Sequence, residues 1–385
     1  MRASIQLASS EDCTGCGVCA SVCPQKCIKM TEGFQGHLYP KAVGDSCVNC
    51  GLCANICPAL HPDGLKPILN AYAAWTKDTE DYKTTASGGI ATALTKYVIS
   101  QEGVVYGCAM LPDVEVKHIR VDNIDNVDLL KSSKYVQSSL MEIYHAIKGD
   151  VSSGRMVLFI GTPCQVAAIK KLFPKEPDNL FLVDLICHGV PSLRSLKEHV
   201  NKVAPGKKVE RVIFRENGNS YVLAVYDKED RTLYRMPLLP DRYRDWYINS
   251  FFDGYTFRDS CYRCRFARSE RVSDLTIGDF WGLHDDANQI PAHEQGCSVA
   301  LPITDKGAML IETIKPSINI YERDVQEAVD GNSQLRHPSR LTKRVRVYRN
   351  AQKIIQCHWM YYLVNMDRIV KHSRFKHGSE KTSKS

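Results

Sequence analysis

From residue 70 onward the chain alternates between two hydrophobic periods. Apolar runs, or apolar residues at every second position, predict strands at 70–76, 104–110, 114–121, 156–160, 180–186, 209–215, 221–226, 232–236 and 274–282. Apolar residues at helical spacing predict helices at 90–99, 141–148, 166–173, 242–252 and 306–314, one ending near 203, and more within 351–370. Two strand–loop–helix units follow each other, at 156–173 and 180–203, which predicts parallel pairing in an α/β sheet. Residues 1–62 lack either period and are ruled by cysteine and glycine. Residues 63–69, rich in Pro and Gly, read as a linker.

The fold class expected is therefore α+β joined to α/β: a small ferredoxin-type domain at 1–62, then an α/β domain with a mixed sheet at 70–330, in two parts (70–155 and 156–330). Helices at 331–370 and a basic, Ser- and Lys-rich tail at 371–385, expected to be disordered, follow.

Composition narrows the class. With 44% hydrophobic residues in 385, a sizeable core is available. No run of 18 apolar residues predicts a transmembrane helix, and residues 1–11 lack the apolar core of an export signal. Sixteen cysteines then point to metal ligation in a reducing compartment, the cytoplasm, rather than to disulfides. The net charge of +7 suggests nucleic acid at first sight, but anionic metal clusters would offset it, and no nucleic-acid partner is expected.

The cysteines carry the chemistry. Cys13, Cys16, Cys19 and Cys23 precede Pro24; Cys47, Cys50, Cys53 and Cys57 precede Pro58. Each run is C-x2-C-x2-C-x3-C-P, the bacterial ferredoxin signature, in which the fourth cysteine ligates the other cluster. One [4Fe-4S] cluster would take Cys13, Cys16, Cys19 and Cys57, the other Cys47, Cys50, Cys53 and Cys23. The G-x-G-x-x-A match at Gly15–Ala20 follows no strand and uses cysteines already assigned, so it is not a dinucleotide fingerprint. Cys27 reads as a small buried side chain.

Four further cysteines fall in expected loops. Cys164 and Cys187 each lie just past the carboxyl end of a strand, where open α/β sheets bind ligands, and Cys261 and Cys264 form a CxxC. Converging, they would make a four-thiolate site for another [4Fe-4S] cluster or for zinc. Cys108 and Cys297 read as core. Ser87 is expected to cap the helix that follows Gly88 and Gly89, whose bare N–H groups would suit a phosphate. His188 is a candidate proton donor or a structural histidine, and Asp279 and Trp281 sit at a strand end. Arg263, Arg265 and Arg268 make the CxxC loop positive.

Taken in order, Ser87-Gly-Gly89, Lys134-Tyr-Val-Gln-Ser138, Gly161-Thr-Pro-Cys-Gln165, Cys187-His-Gly-Val-Pro-Ser192, Cys261-x-x-Cys264 and Thr276-Ile-Gly-Asp-Phe-Trp-Gly282 resemble the coenzyme F-420 hydrogenase/dehydrogenase beta-subunit family over about residues 70–330. The resemblance implies bound FAD beside a [4Fe-4S] cluster on Cys164, Cys187, Cys261 and Cys264. It implies FAD contacts from Ser87, Gly88, Gly89, Lys134, Tyr135, Gln137, Ser138, Thr162 and Asp279. It also implies electron exchange between iron–sulfur centres and a deazaflavin or another small two-electron substrate, with a redox partner protein such as a ferredoxin-like donor. The alternative is an electron-transfer subunit of a larger oxidoreductase with no substrate site of its own.

Overall fold

A computed structural model describes residues 6–217, 220–238, 244–284, 290–291, 293–355, 360–366 and 368–369. The tail at 371–385 lies outside them.

Thirteen strands are described: β1 (Ile28–Glu32), β2 (Leu38–Ala42), β3 (Ala71–Thr76), β4 (Val104–Leu111), β5 (Glu115–Val121), β6 (Val157–Gly161), β7 (Leu180–Leu185), β8 (Arg211–Glu216), β9 (Ser220–Tyr226), β10 (Thr232–Pro237), β11 (Leu275–Asp279), β12 (Ser298–Pro302) and β13 (Ile318–Arg323). Eight form one mixed sheet in the order β13-β3-β12-β11-β7-β6-β4-β5. Its centre, β4, β6, β7 and β11, is parallel. The flanks β5, β12, β3 and β13 pair antiparallel.

Side-chain alternation builds the layers. In β4, Val104 and Tyr106 enter one core while Val105 enters another. In β6, Val157 and Phe159 oppose Leu158, and in β7, Leu180 and Leu182 oppose Phe181 and Val183. A period-two strand buried on both faces gives this split, with helices covering each face. Helix Ile90–Ser100 and helix Asp305–Ile314 line the second face. A separate three-stranded antiparallel sheet, β10-β9-β8, shares a core with helices Leu193–Val203 and Trp246–Phe252.

The N-terminal module holds the hairpin β1–β2 and is locked onto the first face. Val18 is buried in the same core as Tyr144, Val166 and Phe266. Tyr144 Oη donates to Cys16 O (2.8 Å), Gln137 Nε2 to Thr14 O (2.9 Å) and Arg349 Nη1 to Gln35 Oε1 (2.8 Å). The stretch expected as a linker is pinned as well. Lys66 and Arg271 exchange both backbone hydrogen bonds at 2.8 Å, and Leu69 N donates to Pro302 O. Among the described residues, no helix is long and apolar enough to cross a membrane.

Candidate functional site

The two cysteine runs make the same local structure. A left-handed glycine, Gly17 (φ 79°) or Gly51 (φ 73°), precedes a four-residue helix, Val18–Ser21 or Leu52–Asn55. The left-handed turn, free of strain only at glycine, brings three cysteines to one cavity wall, and the helical turn carries the fourth away. As a result Cys13, Cys16, Cys19 and Cys57 line one cavity. Cys23, Cys47, Cys50 and Cys53 line the next, and Cys53 borders both. Burial pushes the Cys16 thiol up to about 11 and the Cys19 thiol up to about 12, and the neighbouring thiols Cys13 and Cys57 add to it. Cationic iron bound there would offset this burial and repulsion and hold the cysteines as thiolates. Cys27 is buried with its Sγ 3.3 Å from that of Cys23.

Cys164, Cys187, Cys261 and Cys264 line a third cavity of about 150 Å³. Cys164 rides on the first turn of helix Pro163–Lys170, straight after β6, and Thr162 Oγ1 lies 3.3 Å from its Sγ. Cys187 follows β7. Cys261 lies on a short 3-10 turn, Asp259–Arg263, with Cys264 next. Burial, then mutual repulsion, drives Cys164 up to about 12 and Cys187 well above the ordinary thiol value; burial, with Cys264 adding, drives Cys261 up to about 12. Among the described residues no three His, Cys, Asp or Glu side chains gather as they would round a single metal ion. The four thiols stand round the cavity wall. Thr14, Pro58 and Ala59 border this cavity and the Cys13 cavity alike.

A cavity of about 600 Å³ opens at the carboxyl ends of β6, β7 and β11. That size is usual for a bound small molecule or cofactor. It shares Thr162, Cys187, His188, Gly189 and Val190 with the third thiol cavity. Ser87, Gly89, Lys134, Tyr135, Ser138, Thr162 and Asp279 all line it. Two hydroxyls on its wall, Thr85 Oγ1 and Ser132 Oγ, are buried without a hydrogen-bond partner among the described residues, so the cavity offers a polar ligand groups that the protein leaves unpaired.

Several expected contacts are placed differently. Gly88 does not present a bare N–H: it donates to Ser298 Oγ (2.9 Å), and its carbonyl accepts from Thr76 N (2.7 Å). A Cβ there would stand 2.2 Å from Ala74 O, so Gly88 is a packing glycine against β3. Ser87 does not cap the helix. Gly89 holds the cap position in left-handed geometry, and Ser87 Oγ donates to Cys297 O (2.9 Å). Gln137 faces the N-terminal module, because alternate residues of an extended stretch point to opposite sides. Cys108, expected in the core, is part of the cavity wall, while Cys297 is buried in a core cluster.

Asp279 is held by Arg215, whose Nη1 donates to Oδ1 (3.1 Å) and whose Nη2 pairs with Oδ2. Arg215 also donates to the hydroxyls of Tyr135 and Tyr221, both at 2.8 Å. Tyr135 stacks on Phe251 with centroids 4.3 Å apart, and Trp281, 42% exposed, lies parallel to Tyr221. Lys134 Nζ donates to the carbonyls of Leu129, Leu130 and Lys131, so it gives the cavity charge rather than a free N–H; burial pulls it down to about 8. His188 stands where both cavities meet, and its enclosure holds it below the ordinary imidazole value. Gln165 and His118 were not singled out from the sequence. Gln165 Nε2 donates to Ser138 Oγ (2.9 Å), which lies 3.0 Å from His118 Nδ1, a brace linking β5, helix Pro163–Lys170 and the 134–138 segment.

Residues 154–328 match the family model for the C terminus of the coenzyme F420 hydrogenase/dehydrogenase beta subunit, and residues 12–60 match the 4Fe-4S dicluster domain. No curated protein matches the chain. Among solved structures, a chain of the F420-reducing [NiFe] hydrogenase complex from Methanosarcina barkeri, studied by xenon derivatization, is 19% identical. The match covers 70% of this chain and 91% of that one, with a TM-score of 0.45.

Proposed function

We infer, for a chain that belongs to the coenzyme F420 hydrogenase/dehydrogenase beta-subunit family through residues 154–328 and carries a 4Fe-4S dicluster domain at residues 12–60, that it is an FAD-dependent iron–sulfur oxidoreductase. It would join ferredoxin-type clusters to a two-electron organic substrate, a deazaflavin or another small molecule. The observation that carries this reading is a continuous series of shared walls. Cys53 joins the first two thiol cavities. Thr14, Pro58 and Ala59 join the Cys13 cavity to the third, and Thr162 with residues 187–190 joins the third to the 600 Å³ cavity.

Bound clusters supply one-electron transfer and bound FAD the exchange between one- and two-electron chemistry, so a chain connecting the two kinds of donor uses both. Cys23, Cys47, Cys50 and Cys53 would hold the outermost cluster, near the surface where Cys50 is exposed to a ferredoxin-like donor. Cys13, Cys16, Cys19 and Cys57 would hold the second, and Cys164, Cys187, Cys261 and Cys264 the third. The cavity residues Ser87, Gly89, Lys134, Tyr135, Ser138, Thr162 and Asp279 would face FAD. Lys134 lends positive charge to a phosphate-bearing ligand, while Thr85 and Ser132 offer it hydroxyls. Arg215 fixes Asp279, and Tyr221 packs beneath the guanidinium at 4.4 Å. His188, which lines both cavities, would hold or pass a proton at the substrate end. The reducing setting that such thiols need points to the cytoplasm.

The test is Cys264→Ser, purified without oxygen. Iron should fall by about 4 per chain, flavin should stay, and reduction of the flavin by a reduced ferredoxin should slow at least tenfold. Unchanged iron and an unchanged rate would remove the third cluster from the account.

One observation favours a second reading, an electron-transfer subunit docked on a larger oxidoreductase. Helix Lys343–Ile355 exposes Val347 (55%) and Ile354 (85%), two turns apart on one face, and Met366 nearby in sequence is also exposed. Turnover only in the presence of a second protein would support it.

A further inference from the structure

Arg258 is among the largest fully buried side chains of the protein, 1% exposed, and among the described residues no carboxylate pairs with it. The adjacent carboxylate, Asp259, is taken by Arg349. The guanidinium is spread instead over neutral acceptors and one thiol. Nε donates to Cys13 O (2.6 Å), Nη1 to Gln137 Oε1 (3.2 Å), and Nη2 to Leu38 O (2.6 Å) and to Cys13 Sγ (3.6 Å). The plane lies over the Tyr39 ring, 4.2 Å from its centroid. Its backbone carbonyl accepts from Cys261 N (2.9 Å), so the same residue touches a ligand-site residue of two thiol groups.

A buried cation without a counter-anion is costly, and the neutral acceptors repay only part of that cost. The missing anion has an evident place. Four thiolates round a [4Fe-4S] core carry about −2 when oxidised and about −3 when reduced. We propose that Arg258 is the counter-ion and hydrogen-bond donor of the cluster held by Cys13, Cys16, Cys19 and Cys57. Through the Nη2–H to Sγ bond it raises that cluster's reduction potential above that of the Cys23, Cys47, Cys50 and Cys53 cluster. The Cys13 cluster thereby becomes the preferred resting place for an electron beside the third site. This rests on the cluster assignment made under Proposed function. Reduction by a ferredoxin-like one-electron donor would add one negative charge to that cluster, and the fixed guanidinium would stabilise the reduced form more than the oxidised one.

The proposal concerns charge, so two variants separate tuning from mere support. Arg258→Lys keeps the charge and loses the planar fork; Arg258→Gln keeps polar contacts and loses the charge. The measurement is a redox titration of anaerobic full-length protein followed by electron paramagnetic resonance, with iron counted in each sample. In Arg258→Gln the reduction equilibrium of one cluster should fall at least tenfold, about 59 mV for one electron. The cluster of Cys23, Cys47, Cys50 and Cys53 should be unmoved, any shift at the third site, whose cavity Arg258 also lines, should be the smaller, iron should be retained, and Arg258→Lys should lie between. Retained iron with every potential unchanged overturns the proposal and leaves the cluster assignment standing. Loss of about 4 iron in both variants overturns it in favour of a purely structural arginine. A native protein whose iron shows no cluster dependent on Cys13 (no loss in Cys13→Ser) instead defeats the assignment on which the proposal rests, and the proposal with it.

Discussion

Two buried histidines contribute to the chain's acid sensitivity. Burial pushes His37 down to about 3, with the Arg258 charge adding, and His118 down to about 4. His37 Nε2 faces Thr256 O (3.2 Å), tying the N-terminal module to the main body. His118 Nε2 faces Ile160 O (3.0 Å), which fixes the N–H there and leaves Nδ1 to accept from Ser138. Both are neutral in the fold. In the unfolded chain they take up protons near their ordinary value of about 6.5. The unfolded state therefore binds more protons below about 6.5, and stability falls as pH drops from there through 4 towards 3. Each histidine contributes a slope of up to about 1.4 kcal/mol per pH unit. Denaturant midpoints between pH 7 and pH 5 should fall in the native chain and fall less steeply in His118→Gln. Equal slopes would contradict this. At the same scale, cysteine spacing made the ligand groups readable, whereas Arg258, Gln165, Arg215 and His118 were not. Each gains its meaning from partners far away in the chain, and one arginine among many carries no local mark.

Elements were legible where one period ran undisturbed. The strand pairs of the parallel centre and the helix after Gly89 lie within a few residues of where hydrophobic spacing put them. The strands β12 and β13 were not read. β12 is five buried residues between Cys297 and Ile303, too short to show a period, and β13 is a sheet-edge strand in which Asn319 and Glu322 interrupt the apolar run. The Ser87-Gly88-Gly89 turn was located, but Gly89 rather than Ser87 holds the cap and Gly88 packs against β3. A glycine needed because β3 backbone passes close to its Cα looks, in sequence, like one needed for a phosphate. This difference is testable. Gly88→Ala would press a Cβ to 2.2 Å from Ala74 O and 2.8 Å from Ser298 N, both backbone atoms that cannot swing away. We expect a loss of about 1–3 kcal/mol or more in stability, with loss of bound flavin as a consequence. A variant melting with the native chain would show that the turn relaxes freely.

At the scale of the whole molecule, the N-terminal module is part of the machine rather than an appendage. Its cysteine cavities abut the third thiol group through Thr14, Pro58 and Ala59, and buried bonds from Tyr144, Gln137, Arg258 and Arg349 hold it there. The sequence announced the module and the strand ends that receive it, but not that the Pro- and Gly-rich stretch between them is pinned to the sheet, since backbone pairing of Lys66 with Arg271 spans the fold. The sites then follow one another from an exposed thiol at the surface to a cofactor-sized cavity at the carboxyl ends of the parallel strands. The most direct test of that arrangement is the content of iron, acid-labile sulfide and flavin per chain in anaerobically purified protein. The account predicts about 12 iron, about 12 sulfide and one FAD. About 8 iron without flavin would contradict it, leaving a dicluster module fused to an α/β body whose 600 Å³ cavity serves some other ligand.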